Sequence, residues 1–261
     1  MRAIPDNNLA YPVLIVPKPR IKPGSGFFLN TASGTYLVTA RHVLFEGVLM
    51  DELIAPFAEL VTYPKDPKEA GRNVFTLDLE KMHTAGYVKR HESQDIAAVM
   101  VGKALPGGRI EVVPGFGVAS STPSGFLSVG TSTLKMYDDV LVANEVFVFG
   151  YPTSLGLKAL PQLDPLRPLL RRGIVAGVNP EKRSIILDCP LYPGNSGGPV
   201  LEVEVDDSGE RKFSVIGVMS QFVPYIETWV NTLHGFENSS IENSGYSVAT
   251  PVDFVLELLA S

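Results

Sequence analysis

Residues 193–199 read Pro193-Gly194-Asn195-Ser196-Gly197-Gly198-Pro199, and the rest of the chain is read outward from them. Glycines accept the positive φ that other residues avoid, and they carry no side chain to block an approaching carbonyl. A tight turn of this composition can aim the N–H groups of Gly194 and Ser196 at one point, as an oxyanion hole requires. It also presents the Ser196 hydroxyl as a nucleophile. The chain continues Pro199-Val200-Leu201-Glu202-Val203-Glu204-Val205, an alternation of apolar and charged residues that predicts a strand.

Gly-x-Ser-x-Gly alone leaves two nucleophile architectures open. In an α/β-hydrolase the serine turn feeds a helix, and the acid and histidine follow it. Pro199 and the alternating strand argue against a helix, and only His234 lies after Ser196. The other order is His, Asp, Ser. Here Thr39-Ala40-Arg41-His42-Val43 closes the apolar run Tyr36-Leu37-Val38, and Asp95-Ile96-Ala97-Ala98-Val99 opens another.

Together these three motifs resemble a chymotrypsin-fold serine protease, with a closer likeness to the bacterial HtrA (Deg) type and the broader bacterial trypsin-like peptidases. The Phe147–Pro152, Arg172–Gly177 and Gly245–Pro251 stretches extend the likeness across residues 20–259. The resemblance implies an all-β fold of two six-stranded antiparallel β-barrels with a C-terminal helix. It assigns His42 as base, Asp95 as its orienting acid (Asp78 being the rival) and Ser196 as nucleophile. Gly194, Asn195 and Ser196 form the implied oxyanion hole. Pro190, Leu191, Tyr192, Ser220, Gln221, Phe222, Val248 and Ala249 are the implied substrate-binding residues. A basic-specific member needs an acid where this chain has Pro190, so cleavage after apolar residues is expected. Asn195 replaces the aspartate that pairs with a newly cut N-terminus in digestive relatives, implying no such activation. Arg41 is expected to point to solvent, and Cys189 to be an apolar wall or core residue.

The organisation expected along the chain is an N-terminal arm over 1–23, a first barrel over 24–114 and a Gly/Ser/Thr-rich linker over 115–133. A second barrel over 134–250 and a helix over 251–261 follow. Within the arm, Pro12–Val16 reads as extended; within the first barrel, Met50–Leu60 reads as helix or strand. In the helix Thr250 reads as the cap, with Val252, Val255, Leu256 and Leu259 on one face. The long proline-containing stretch 153–172 is expected to gate the site. The HtrA type's PDZ module has no counterpart in the expected layout.

Composition bounds the partners. Lys and Arg number 22 against 28 Asp and Glu, giving 22 − 28 = −6, so a nucleic-acid partner has no electrostatic support. The apolar Tyr11–Pro17 run is too short for a secretory core, and no run reaches bilayer length. The single cysteine excludes an intramolecular disulfide. A cytoplasmic protein that needs no cofactor or metal is expected, acting on a protein or peptide substrate without membrane association. Restraint would come from specificity, a regulatory protein partner or a disordered oxyanion loop. The alternatives are a restrained or inactive protease-like peptide-binding module, an esterase of the other nucleophile class and a structural scaffold.

Overall fold

Phe27-Phe28-Leu29 lacks the polar alternation of a half-exposed strand because both of its faces are buried. Phe28 enters one apolar cluster with Leu37, Leu60, Phe75 and Leu77. Phe27 and Leu29 enter another, with Val38, Val215, Val218 and Leu258. The first cluster fills a barrel, and the second joins that barrel to the rest of the molecule. The computed structural model describes residues 4–19, 22–151, 160–206, 208–231 and 233–261.

The first half contains β1 Pro12–Lys18, β2 Gly24–Asn30, β3 Gly34–Thr39, β4 Phe45–Glu46, β5 Glu52–Leu53 and β6 Phe57–Thr62. It continues with β7 Asn73–Asp78, β8 Val88–Arg90, β9 Ala97–Leu105, β10 Arg109–Val112, β11 Phe116–Ser120 and β12 Val129–Gly130. Its main sheet runs β10-β9-β3-β2-β1-β6-β7-β11. β10 and β11 stand at opposite ends of that order, yet only residues 113–115 separate them. So short a link spans little more than about 14 Å, so the sheet must curl until its edges meet. Pairing is antiparallel except for β12, which runs parallel to β2.

β13 Glu145–Gly150, β14 Leu169–Asn179, β15 Ser184–Asp188, β16 Pro199–Val205, β17 Arg211–Asn231 and β18 Phe236–Pro251 close the second barrel in the order β13-β14-β15-β18-β17-β16. Val146, Val148, Val175, Ile185, Leu187 and Ile216 fill it. Short helices α1 Arg41–Leu44 and α2 Leu79–Thr84 lie in the first half, and α3 Asp253–Ala260 ends the chain. The chain is thus the expected double barrel with a terminal helix, except that the first half builds a curled sheet of ten strands where six were expected, because short strands such as β8 and β12 add to it.

Several local expectations change. The N-terminal arm supplies a central strand, since β1 pairs with both β2 and β6. The linker composition of 115–133 conceals β11, paired with β7, and β12. Residues 57–62 settle as strand, and α2 appears where none was expected. Thr250 does not cap α3: it lies within β18, which ends at Pro251, and Val252 takes the cap position without a side-chain bond. The face that α3 buries carries Phe254, Val255 and Leu258, whereas Leu256 and Leu259 are only half-buried. β17 and β18 run far beyond the barrel as a ribbon that pairs to Asn231↔Phe236. Of the stretch expected to gate the site, 153–159 lies outside the described residues, and 169–172 is the start of β14.

Candidate active site

β3 ends at Thr39, and Ala40 leads into α1, whose second residue is His42. β9 begins beside it at Ala97, paired with Thr39, so Asp95 falls against α1. The His42 backbone N–H donates to Asp95 Oδ1 at 3.0 Å, and His42 Nδ1 lies 2.8 Å from Asp95 Oδ2. An ionised carboxylate only accepts, so Nδ1 carries a proton toward Asp95, and in the neutral ring Nε2 is the acceptor. Asp95 Oδ2 also accepts from Ser220 Oγ at 3.1 Å. Ser220 Oγ lies 2.7 Å from Thr250 Oγ1. The single Ser220 proton goes to Asp95, so Thr250 is the donor in that pair. Burial pushes the Asp95 carboxyl up, but the bonds and charge from His42 and the Ser220 bond outweigh it, and its pKa ends below the ordinary value. Asp78 plays another part, since its side chain accepts from Lys81 N–H at 3.0 Å and caps α2.

The serine turn is pressed against the same strand end. A Cβ on Gly197 would lie 2.0 Å from Ser25 O, 2.2 Å from Thr39 Oγ1 and 2.9 Å from Ala40 N. Only glycine tolerates that approach, and its φ of 88° adds to the requirement. Ser196 therefore comes to lie beside the segment that carries His42. Its Oγ donates to Ser220 O at 3.5 Å, a loose contact. Among the described residues it makes no hydrogen bond to His42; such bonds commonly tighten only when substrate is bound.

Gly194 takes φ 99°. Its N–H and that of Ser196 have no intramolecular acceptor among the described residues, while Asn195 N–H donates to Tyr192 O at 3.1 Å. Two of the three expected oxyanion residues thus have free amides, and Asn195 contributes none.

Ser25 is a site residue that sequence reasoning passed over. It is fully buried. Its Oγ donates to Gly194 O at 2.7 Å and accepts from Tyr151 N–H at 3.0 Å. Its own N–H donates to Ser196 O at 2.8 Å, and its carbonyl accepts from Thr39 Oγ1 at 2.7 Å. One residue of the first barrel therefore holds both ends of the serine turn. Its only sequence signal was the Gly24-Ser25-Gly26 context. Arg41 does not point to solvent: Nη1 donates to the carbonyls of His91 and Glu92, each at 2.9 Å, bracing the segment before Asp95.

The expected substrate-binding residues divide by exposure. Leu191 and Ala249 belong to the second-barrel core with Cys189. Ser220 is buried, Pro190 and Val248 are half-buried, and Tyr192, Gln221 and Phe222 are exposed. Arg171 lies over the Tyr192 ring, 4.5 Å from its centroid. Asp188 is exposed on β15. Burial pushes the Cys189 thiol up to about 11, as expected for a core residue rather than a reactive one. Among the described residues no cluster of side chains is suited to a metal ion, and no helix is long and apolar enough to cross a membrane.

The trypsin-like peptidase domain family matches residues 24–206. Among solved structures the chain is similar to the HtrA-type protease AlgW with a tripeptide, at TM-score 0.52 and 16% identity, covering 98% of this chain and 63% of that one. A variant of AlgW with a tripeptide gives TM-score 0.50 and 16% identity, covering 97% and 60%. The chain thus spans about three fifths of those proteins' length. No curated protein matches it in sequence.

Proposed function

The chain belongs to the trypsin-like peptidase family, and on that premise we propose that it is a serine endopeptidase acting through Ser196, His42 and Asp95. The observation that carries this is the paired attachment of Asp95 to the His42 ring and backbone, beside the Ser196 turn. His42 Nε2 takes the Ser196 proton as Oγ attacks the peptide carbonyl. The developing oxyanion is met by the N–H groups of Gly194 and Ser196. His42 then protonates the leaving amine, and an ester to Ser196 remains. Water, deprotonated by His42, cleaves that ester and restores the serine. Asp95 holds the Nδ1 tautomer and stabilises the imidazolium throughout.

Ser196→Ala is expected to abolish fluorophosphonate labelling and peptide hydrolysis while leaving the melting temperature nearly unchanged. Labelling that persists at another serine sinks the assignment. The second reading, a restrained or inactive peptide-binding module, draws on the loose Ser196 hydroxyl. It requires wild-type protein that binds peptide but takes no label.

Cleavage after apolar residues is the proposed specificity. Burying an unpaired Lys or Arg against Pro190, Val248 and Phe222 costs several kcal/mol, whereas an apolar side chain gains about 1.5–3 kcal/mol. A peptide library read by mass spectrometry checks it; dominant cuts after Lys, Arg, Asp or Glu refute it. The lone buried Cys189 supports a reducing compartment, and we assign the protein to the cytoplasm on that ground.

A further inference from the structure

Asp95 is carried by the loop between β8 and β9, His91-Glu92-Ser93-Gln94-Asp95-Ile96, which has neither glycine nor proline to fix its backbone. The two strands pair at its mouth, with Arg90 opposite Ala97. Inside the loop, His91 N–H donates to Ile96 O at 2.9 Å, and Ile96 N–H donates to Gln94 O at 2.9 Å. The amides of Ser93 and Gln94 find their acceptor in a side chain. Both donate to His91 Nδ1, at 3.3 Å and 3.1 Å. The ring at the first residue of the loop thus holds the two residues that lead directly into the acid.

A backbone amide only donates, so His91 Nδ1 presents its lone pair and the neutral ring carries its proton on Nε2. His42 has the opposite arrangement, with Nδ1 protonated toward Asp95. Beyond His91 Nε2 stands Glu257 Oε2 of α3, 3.7 Å away. That is too far for a direct hydrogen bond, but the carboxylate favours the proton on that nitrogen. Glu257 is itself held by Arg183 at 3.1 Å. The His91 ring lies edge-on to Phe254 at 5.4 Å and is only 16% exposed, so α3 keeps it turned into the loop. The His91 carbonyl accepts from Arg41, the residue before His42. His91 is therefore tied at once to the acid's loop, to the neighbour of the base and to the C-terminal helix.

We propose that His91 is a positioning residue for the triad: through its Nδ1 lone pair it fixes the loop that presents Asp95 to His42. This rests on the peptidase reading above. Among the described residues His91 makes no hydrogen bond to the side chains of His42, Asp95 or Ser196, so it acts through the loop. With the acceptor removed, Ser93 and Gln94 turn to water, which satisfies their amides without tying them to the first residue of the loop. Asp95 then loses the fixed approach that gives Oδ1 to the His42 backbone and Oδ2 to its ring at the same time. Misplacing a reacting group by about 1 Å costs on the order of a hundredfold in rate. The effect belongs in kcat, and its ceiling is the roughly four orders of magnitude lost with the orienting carboxylate itself.

The ring offers an acceptor and an apolar face, and two variants separate them. His91→Asn keeps an acceptor, because an asparagine oxygen takes amides a few residues on in an Asx turn, and it loses the face against Phe254. His91→Phe keeps the face and loses the acceptor. With a fluorogenic amide of an apolar peptide as substrate, His91→Phe is expected to lower kcat on the order of tenfold to a hundredfold. Its KM and melting temperature should stay near those of wild type. His91→Asn is expected to melt lower and yet keep most of kcat, a split that a merely structural role does not produce. Proton NMR reports the geometry without turnover, through the low-field signal of His42 Nδ1–H, assigned by its absence from His42→Ala. That signal should be present in wild type and His91→Asn and broadened or lost in His91→Phe. Should His91→Phe not fold, His91→Leu against His91→Asn makes the same comparison. Wild-type protein that takes no fluorophosphonate label overturns the peptidase reading alone, and the low-field signal then decides the role of His91 by itself. Equal kcat in His91→Phe and wild type, equal losses in His91→Phe and His91→Asn, or a fall in kcat with the His42 signal intact each overturns the proposal.

Discussion

Asp95 lies just before β9 and Asp78 ends β7, and what separates their roles is the partner each side chain meets. Asp95 faces His42, and Asp78 faces the amides opening α2. Loss of the orienting carboxylate from a Ser-His-Asp triad costs roughly four orders of magnitude in turnover. Asp95→Asn is expected to show a loss of that order, measured as kcat. Asp78→Ala should cost about 1 kcal/mol in denaturant unfolding, as an ordinary cap does, with turnover kept. A crippled Asp78 variant reverses the assignment. The depressed Asp95 pKa also sets a sign. Its contribution to stability is full above the unfolded carboxylate pKa, about 3.9, and fades as pH falls through the lower folded value. The stability gap between wild type and Asp95→Asn should therefore hold from pH 7 to pH 5 and shrink below about pH 4. A gap that widens on acidification contradicts the depressed pKa. Ser25 carries a second expectation at this scale. With its hydroxyl removed, the Gly194 carbonyl and Tyr151 N–H lose their shared partner. Ser25→Ala should lower kcat on the order of tenfold or more with KM little changed, and Ser25→Thr should restore part of it. A matching rise in KM would point to loosened substrate binding instead. The proposed triad of His42, Asp95 and Ser196 was legible because each of its members sits in a local motif. Ser25 and the turn of Arg41 toward His91 were not, because their partners are distant in sequence and one serine or arginine looks like another.

At the level of the element, β16 was readable because its apolar and charged residues alternate, although both of its faces are largely covered: Glu202 is fully buried against Lys135, and Val205 is exposed. The ribbon was not, because Gln221–Asn231 and Phe236–Ser244 mix apolar and polar residues on both faces and carry no barrel-facing period. α3 was found at the right place with its face partly right: Val252 and Val255 are buried as expected, but Pro251 closes a strand, which shifts the helix start to Asp253 and brings Phe254 and Leu258 inward rather than Leu256. β11 hid within a turn-rich composition and forms because the edge of β7 needs a partner. The serine turn is the element most constrained by fit. Gly197→Ala puts a methyl within 2.2 Å of Ser25 O and Thr39 Oγ1 at a φ of 88°. Left-handed geometry alone costs an alanine about 1 kcal/mol or more, and the backbone overlap adds to that. The expected outcome is a lowered melting temperature together with lost fluorophosphonate labelling, since relief requires the turn to move away from β3. Full labelling at wild-type stability would mean that the turn has slack absent from this packing.

For the molecule as a whole, the two barrels are joined by shared apolar surface as well as by the chain. Phe27, Leu29 and Val38 from the first barrel meet Val215 and Val218 from the second, and Phe254, Val255 and Leu258 of α3 close over the seam. Tyr151, at the end of β13, passes its hydroxyl across to the carbonyls of Pro12 and Val61 in the first barrel. The site spans the same seam, with His42 and Asp95 on one side and Ser196 and Ser220 on the other. Neither barrel can keep its outer apolar face covered, or complete the site, without the other. Phe254 is 6% exposed, edge-on to His91 at 5.4 Å and beneath Arg183 at 4.8 Å. Phe254→Ala is expected to cost about 3–5 kcal/mol, as buried phenylalanine truncations do. Because α3 contacts both barrels, the loss should appear as a lower midpoint for one calorimetric transition, with calorimetric and van't Hoff enthalpies still equal. Two separated transitions in the variant, one retaining the wild-type midpoint, would mean that each barrel is stable by itself. The seam would then be a docking surface between independent units, and the His42–Ser196 geometry would depend on how firmly they dock.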